Sequence, residues 1–419
     1  MSGEAVDIQI DGKAVRARAG ESLLSAALKA DIYIPHLCDH PALPPFDKVS
    51  PSDVCYRGGE AFRSGSNQEE GEGCGLCWVE LKPGRKLVLS CTTPVEEGMD
   101  ILTDTPELAA RRRDHLARIL RTHPHACLTC AQREGCSLTQ CSTNVPEEER
   151  CCPQFDVCEL RRVAEYVGIR EDLPRYVPRN LSVEEDQPLF LRDYNLCVGC
   201  LRCVRACTEV VGAEALAYVI REREVVVGTR APSIEESGCR YCGVCIEVCP
   251  TGALRDKDGK PAERKDALVP CVAECPLRMD VPSYVRLIRE DRPAEAAAVI
   301  REKTPLAMTL GHICARPCET VCRRKEINDP VAICSLKRYA LEASGLPPDV
   351  PKPASTGKKV AVVGGGPAGL VAAYFLALKG HAVTVFEGQD EPGGMLRWAV
   401  PEYRLPLHIL RKEMEAIQD

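Results

Sequence analysis

Aromatic side chains are scarce in this chain: Phe, Trp and Tyr together make up 5% of its 419 residues. Cores built without them must be aliphatic, or be filled by something that is not a side chain. Long apolar runs are missing as well, since no stretch approaches the ~18 residues of a membrane-crossing helix. The N-terminal "MSGEAVDIQIDG" has no basic segment leading into an apolar one, so no secretory signal is read there. Positive charge is in deficit, with a formal net charge of -7, which argues against binding nucleic-acid phosphates or an anionic membrane. These absences leave the expectation of a cytoplasmic chain with no membrane insertion and no nucleic-acid partner.

Cysteine is what the chain has in excess. There are 26, most of them in short-spaced clusters. In a reducing cytosol such thiols read as metal ligands before they read as disulfides. The length allows several domains. "VDIQIDGKAVRARAG" alternates apolar and polar residues around Asp11-Gly12, a hairpin signal. A helix is expected over about Ser22 to Ala30 and another after Thr105, with Pro106 at its first position and Leu108, Leu116, Ile119 and Leu120 on one face. The "RRR" of that second helix is read as a solvated face. Cysteine-dense loops run from 123 to 158 and from 197 to 249, and 271 to 344 carry helical periodicity in "SYVRLIRE", "AEAAAVIRE" and "LKRYALEAS". "GLPPDVPKPASTG" is a Pro-rich linker, and a βαβ unit begins at Lys359.

The strongest pattern is a pair of runs, Cys197-x2-Cys200-x2-Cys203-x3-Cys207 and Cys239-x2-Cys242-x2-Cys245-x3-Cys249-Pro250. This spacing puts three thiolates on one cubane while the fourth cysteine of each run ligates the other. Cluster one then takes Cys197, Cys200, Cys203 and Cys249, and cluster two takes Cys239, Cys242, Cys245 and Cys207. Structural zinc needs only two CxxC pairs per site and leaves the tight runs unexplained.

"GCGLCWVELKPGRKLVLSC" gives Cys74-x2-Cys77-x13-Cys91. With the preceding hairpin and helix, these residues resemble the N-terminal [2Fe-2S] domain of the large iron–sulfur subunit of respiratory complex I, shared with iron hydrogenases and NAD-dependent formate dehydrogenases. The resemblance spans residues 1 to about 262. It implies a first ligand after an "IPxLC" segment, which Cys38 matches. The 35 residues between Cys38 and Cys74 far exceed the family's usual interval, and Cys55 within them is a rival ligand. Cys38 is favoured and Cys55 is taken as a free thiol. The same family implies a [4Fe-4S] site from one His and three Cys at His123, Cys127, Cys130 and Cys136 in "HPHACLTCAQREGC". His125 is assigned to the surface. Cys141, Cys151, Cys152 and Cys158 have no counterpart in that template. They could hold a further cluster, although adjacent cysteines rarely both face one metal centre.

"CVAECPLRMDVPSY", "GHICARPCETVCRRK" and "PVAICSLKRYALE" resemble the helical domain of the glutamate synthase small subunit and of dihydropyrimidine dehydrogenase. That resemblance implies one [4Fe-4S] cluster on Cys275, Cys314 and Cys318, completed by one of Cys271, Cys322 or Cys334, with Cys322 carried as the working choice. Gly364-x-Gly366-x-x-Gly369 follows the strand "KVAVV" and opens a helix, so a pyrophosphate can approach the helix N-terminus. Glu387, eighteen residues on from Gly369, is placed to bond a ribose hydroxyl. "PGGMLRWAVPEYRLP" looks like the family's flavin-contacting segment, which implies Gly394 and Arg404 as contacts of FAD.

The expected fold is thus multidomain α+β. A β-grasp [2Fe-2S] ferredoxin domain covers 1–104. A [4Fe-4S] domain with one histidine and three cysteine ligands, together with the extra cysteines, covers 105–185, and a double [4Fe-4S] ferredoxin domain 186–262. An α-helical iron–sulfur domain covers 263–345, a linker 346–357, and an incomplete α/β Rossmann FAD-binding segment 358–419. A single βαβ unit cannot cover both faces of its sheet, so 359–419 alone are expected to be poorly ordered, with FAD retention in doubt. The chain reads as part of a longer protein, or as one completed by a partner. Four [4Fe-4S] clusters are expected, five if the extra cysteines hold one, besides the [2Fe-2S] centre. The function expected is an iron–sulfur electron-transfer subunit of an NAD(P)H-linked oxidoreductase complex. Its partners would be a flavin- or NAD(P)H-binding subunit, a ferredoxin or a terminal catalytic subunit. The alternatives are a flavin-free relay or scaffold subunit of a hydrogenase or formate dehydrogenase complex, and a zinc-rich interaction protein.

Overall fold

The structure, a computed structural model, describes residues 5–45, 49–65, 73–125, 128, 158–174, 176–177, 179–222, 224–257, 268–345 and 353–418. The chain divides into two units, Met1–Arg264 and Lys265–Asp419.

In the first unit, β1 (Ala5–Ile10) and β2 (Lys13–Arg18) form an antiparallel hairpin. Its turn residues Asp11 and Gly12 both have positive φ, 50° and 77°. That twist matches the strands it joins. The Asp11 carboxylate accepts hydrogen bonds from the Thr103 amide at 2.8 Å and hydroxyl at 2.5 Å, tying the turn to a distant segment. Helix α1 (Leu23–Lys29) starts at Ser22, whose side chain accepts from the Ser25 amide. The strands β3 (Val54–Arg57), β4 (Glu60–Arg63), β5 (Trp78–Lys82), β6 (Lys86–Leu89) and β7 (Asp100–Leu102) follow. Five of these strands build one sheet in the order β2-β1-β7-β5-β6, with β1 and β7 parallel. Its core is aliphatic, with Ile8, Ile10, Leu24, Ile34, Val79 and Ile101, and Cys38, Cys77 and Cys91 belong to the same cluster.

Helix α2 (Pro106–Leu120) is capped by Thr105 and buries Leu108, Leu116 and Leu120. The solvated reading of its three arginines holds for Arg111 and Arg113 and fails for Arg112, which is 2% exposed and donates to the Trp78 carbonyl at 2.6 Å. One position in three of an exposed helical run faces the sheet, and the Arg112 head finds a carbonyl there. Helix α3 (Glu159–Val167) packs Leu160, Val163 and Ala164 against Leu116 and Leu120.

The rest of this unit comprises β8 (Phe190–Arg192), α4 (Arg202–Arg205), β9 (Leu216–Arg221), β10 (Glu224–Thr229), α5 (Val244–Glu247) and β11 (Leu254–Asp256). β8 pairs with β11. The β3–β4 hairpin, which lies inside the long interval between Cys38 and Cys74, leaves the first sheet and extends the β9–β10 hairpin in the order β4-β3-β10-β9. A Cβ at Gly228 would stand 2.3 Å from the Tyr56 carbonyl oxygen, so this docking needs glycine.

The second unit begins with α6 (Pro270–Glu274), α7 (Val281–Arg289), α8 (Pro293–Arg301), α9 (Ala307–Ile313), α10 (Pro317–Thr320) and α11 (Ile333–Ser344). Next come β12 (Lys359–Val363), α12 (Pro367–Ala377), β13 (Ala382–Phe386), α13 (Met395–Trp398) and α14 (Leu407–Gln418), with β12 and β13 parallel. The expectation of poor order considered this last segment by itself. In the structure it shares one core with the helices: Leu370, Leu405, Leu410 and Met414 pack with Ile300, Ala307 and Leu341. Glu413 of α14 is 1% exposed, and its carboxylate accepts the amides of Met308 and Thr309 at the start of α9, the latter at 2.9 Å. Among the described residues no helix is long and apolar enough to cross a membrane.

Glu413→Ala would leave two buried amides without an acceptor, at about 1–3 kcal/mol. Thermal unfolding of the second unit is therefore expected at a lower temperature in this variant, with Glu413→Gln intermediate because it keeps one acceptor oxygen.

Candidate metal centres

Cys38, Cys74, Cys77 and Cys91 come together in the first unit. The Cys38 sulfur is within hydrogen-bonding reach of Cys74 and Cys91, and Cys91 within reach of Cys77. The thiols of Cys74 and Cys91 donate to Cys38 and hold its pKa well below the usual thiol range, while the same contacts and burial push those of Cys74 and Cys91 up. The Leu37 amide adds a donor to Cys74 Sγ at 3.4 Å, and the Ser90 hydroxyl donates to the Cys77 carbonyl at 2.9 Å. Gly75 supplies the turn between Cys74 and Cys77 at φ +63°, and a Cβ there would sit 2.1 Å from His115 Nδ1 of α2. Burial and the Arg118 charge lower His115 to about 4, so a neutral imidazole closes over the loop. Cys55 stands elsewhere, with its Sγ on the Val226 carbonyl at 3.4 Å and burial pushing it up to about 11.

His123 follows α2 and is 3% exposed. Its Nδ1 lies 2.7 Å from the Pro124 carbonyl, which can only accept, so the proton is on Nδ1. Nε2 is then a lone-pair donor, buried and without a hydrogen-bond partner among the described residues. Burial lowers His123 to about 4, which keeps the ring neutral. This is the state of a ligating histidine whose other ring nitrogen already has its orienting carbonyl. Cys127, Cys130 and Cys136, together with Cys141, Cys151 and Cys152, lie outside the described residues. Cys158 is described, at the start of α3, where the charge of Cys249 reaches it. The surface assignment of His125 is corrected: it is 7% exposed, and its Nδ1 lies 3.0 Å from the Leu120 carbonyl. The last carbonyls of a helix need donors, and this ring supplies one.

The two long runs fold as near copies. Leu201, between Cys200 and Cys203, has φ 62°, and Gly243, at the same place in the second run, has φ 78°. Each opens a short helix that carries the next cysteine. Cys197, Cys200, Cys203 and Cys249 line one cavity, walled by Tyr194, Leu216 and Leu254. Three ligands of one run and the last of the other thus face a common space. Cys207 is in charge contact with Cys239, Cys242 and Cys245 in the reciprocal arrangement. Burial raises Cys239 to about 12 and Cys242 to about 11, so thiolates persist there only around a positively charged centre. Amides donate to sulfur at 3.2 Å from Ala215 to Cys207 and at 3.4 Å from Tyr241 to Cys239. Among the described residues no three Cys, His, Asp or Glu side chains converge on a point suited to a single ion. Cys197, Cys200, Cys203 and Cys249 surround a space between them, and such a thiol set fits a cluster of several atoms.

In the second unit, Cys271, Cys275, Cys318 and Cys334 are all in charge contact with the buried Tyr284, whose hydroxyl donates to the Ile333 carbonyl at 3.3 Å, and Cys314 is in charge contact with Cys318 and Cys334. The Cys334 thiol contacts the Gly311 carbonyl at 3.7 Å, and the Arg316 amide donates to Cys314 at 3.3 Å. Cys322 precedes the 3-10 turn Arg323–Glu326. The glycine loop follows β12. A Cβ on Gly369 would stand 1.9 Å from the Gly364 carbonyl, and one on Gly394 2.9 Å from Gly366 Cα, so two backbones meet where a side chain would intervene. Glu387 accepts the amides of Gly365, Gly388 and Gln389 at 2.7, 2.7 and 2.9 Å, which holds its carboxyl below the usual range. Arg404 is exposed, on a turn closed by its amide to the Pro401 carbonyl at 2.8 Å.

Family comparisons follow the same division. Residues 3–106 match a 2Fe-2S iron-sulfur cluster binding domain and 196–253 a 4Fe-4S dicluster domain. Residues 263–345 match domain II of dihydropyrimidine dehydrogenase, described as a 4Fe-4S cluster domain, and 362–416 match an NAD(P)-binding Rossmann-like domain. The chain is a multidomain iron–sulfur protein with a Rossmann-like segment, and its relatives are oxidoreductase subunits. It is 44% identical over 154 residues to the NADPH-Fe(3+) oxidoreductase subunit beta of Geobacter sulfurreducens, covering 35% of this chain and 23% of that protein. It is 42% identical over 173 residues to the NADP(+)-dependent formate dehydrogenase subunit beta of Moorella thermoacetica, covering 36% and 24%. With the NADP-reducing hydrogenase subunit HndD of Solidesulfovibrio fructosivorans it shares 31% over 251 residues, 59% of this chain and 35% of that one. The chain thus spans 23% to 35% of the length of these relatives.

Sequence reasoning did not single out His115, Arg202, Arg205, Glu159 or Tyr284. His115, Glu159 and Tyr284 act from outside the cysteine motifs, and only Arg202 and Arg205, which interrupt the first run, left a local signal.

Gly75→Ala is expected to lower binuclear cluster content, since the left-handed backbone alone costs an alanine about 1–2 kcal/mol and the His115 ring must also move. Visible circular dichroism of the [2Fe-2S] centre should weaken while the cubane signals stay.

Proposed function

We propose that this chain is the iron–sulfur relay of an NAD(P)H-linked oxidoreductase complex, carrying single electrons through a series of clusters between a flavin and a partner subunit. A β-grasp [2Fe-2S] site of Cys38, Cys74, Cys77 and Cys91 leads the series. His123 Nε2 with Cys127, Cys130 and Cys136 forms a [4Fe-4S] site, and the two long runs hold two cubanes by exchange of their fourth cysteines. In the second unit Cys275, Cys314 and Cys318 take a cubane. Its fourth ligand comes from Cys271, Cys322 or Cys334, and the charge contact between Cys334 and Cys314 favours Cys334.

The observation that carries this reading is the cavity shared by Cys197, Cys200, Cys203 and Cys249. A zinc site built from two neighbouring CxxC pairs has no need to draw its fourth thiol from a segment some fifty residues away, whereas exchange of the last ligand is what two adjacent cubanes require.

FAD is the proposed occupant of the glycine loop, held by Gly364, Gly366, Gly369 and Gly394, with Glu387 shaping the loop for the ribose and Arg404 available at its rim. A bound flavin supplies two-electron hydride chemistry, whereas the clusters take electrons singly. What the chain itself does is position: left-handed residues aim the cysteines, amide donors favour sulfur charge, and aliphatic walls exclude water. Free cysteines throughout the described residues suit a reducing, cytoplasmic setting. The partners proposed are a flavin- or NAD(P)H-binding subunit, a ferredoxin, or a terminal catalytic subunit.

Anaerobically prepared chain should carry about 18 irons on this assignment, with a binuclear electron paramagnetic resonance signal that Cys38→Ser removes and Cys55→Ser leaves intact. Stoichiometric zinc in place of iron, or colourless protein, would overturn the proposal.

A further inference from the structure

Arg202 and Arg205 stand inside the first cysteine run and are both 0% exposed. Arginine is almost never fully buried unless paired, because it stays charged. The Arg202 guanidinium is fixed by a bidentate bond to Glu159, 2.9 Å on each arm, and by the Val248 carbonyl at 3.4 Å. The Glu159 amide in turn donates at 2.8 Å to the carbonyl of Pro250, next to Cys249. Arg205 donates through Nη1 to the carbonyl of Cys38 at 3.1 Å and through Nη2 to the carbonyl of Pro44, while its Nε stands 3.4 Å from the Glu209 carboxylate. A helical turn that carries Cys203 is thereby bonded to the backbone of a cysteine 167 residues away from Arg205, in the other cluster site. The charge of Arg202 acts on both Cys200 and Cys38.

Two features make this more than a clamp. A packing role needs neither charge, since an uncharged side chain could donate to the same carbonyls. The counter-charges are also unequal to the arginines in placement: the Glu159 and Glu209 side chains are 26% and 27% exposed, and Asp39, the buried carboxyl in charge contact with both arginines, is pushed up by its burial, whereas both guanidiniums have none of their surface in water. Water weakens the two negative charges more than the two positive ones. A residual positive field remains between the binuclear site and the first cubane site, and a positive field favours the form of each cluster that holds one more electron.

We propose that Arg202 and Arg205 are positioning residues that join the [2Fe-2S] site to the cubane site of Cys197, Cys200, Cys203 and Cys249, and that their charge holds the reduction potentials of both centres up. This rests on the cluster assignment above and adds to it which two centres are electrostatically coupled and by what.

The test is a redox titration of the anaerobically prepared full chain, followed by electron paramagnetic resonance. In Arg202→Gln both the binuclear centre and one cubane are expected to become about tenfold harder to reduce, close to 59 mV for one electron, and Arg202→Lys should recover most of that. Glu159→Gln removes the partly exposed counter-charge and should shift the same two centres in the opposite direction. That second variant decides the matter if Arg202→Gln fails to load iron. Unmoved potentials in both variants, a shift confined to one centre, or shifts of the same sign in both would overturn the proposal while leaving the cluster assignment standing. Unmutated protein that binds no iron would instead overturn the assignment itself.

Discussion

Thiolate charge is hard to bury, and the architecture of both units follows from how that is done. A thiol enclosed by aliphatic walls is held in its neutral form, as the upward shifts of Cys55, Cys239 and Cys242 illustrate. Donors must be aimed at sulfur, or a positive centre must sit among the thiols, before several can lose their protons together. Amides of Leu37, Ala215, Tyr241 and Arg316 are aimed in this way. The scarcity of aromatic residues belongs to the same picture. The few buried rings, Tyr194 among them, leave a cavity otherwise lined by Leu, Val and Cys, and a multi-atom inorganic body of the proposed kind would complete the packing as well as carry charge.

The long interval between Cys38 and Cys74 has a structural use within that scheme. Its β3–β4 hairpin extends the β9–β10 sheet, Cys55 fills that sheet's own small core with Ala217 and Val219, and Pro44, earlier in the interval, accepts from Arg205. Two sites built from distant stretches of chain are therefore tied by a strand pairing, a glycine contact at Gly228 and a buried guanidinium. The interval between Cys38 and Cys74 supplies much of the connection.

Local signals were legible in the sequence and non-local ones were not. Asp11-Gly12 specifies its own turn, Thr105 and Pro106 specify the start of α2, and three-to-four-residue periodicity specifies the helices of the second unit, because each depends only on neighbours along the chain. The cysteine runs likewise announce their grouping, since three ligands at i, i+3 and i+6 lie within one short loop and the helix it opens. The partner strand of β3, the burial of Arg112 and the burial of His125 depend on what arrives from elsewhere, and no local pattern encodes that. Cys38 and Cys55 are of the second kind: spacing leaves both open, a family resemblance favours Cys38, and the fold puts Cys55 in another sheet, on the Val226 carbonyl. His123 lies between, as a local motif whose useful state is set by one carbonyl and by burial.

The second unit poses a different problem, because β12 and β13 are two strands with α12 against one face and the other face open among the described residues; Val363 is 89% exposed and Phe386 58%. Such a pair is marginal on its own. What holds it is α14, which inserts Leu410 and Met414 into the helical core and places Glu413 against the first amides of α9. The glycine loop at the end of β12 is thus anchored through a shared core to the same helices that carry Cys314 and Cys334, and not through its own sheet. The proposed nucleotide site and the thiol cluster share one core and so keep one separation, which is what the proposed exchange between two-electron and one-electron carriers would require of the fold.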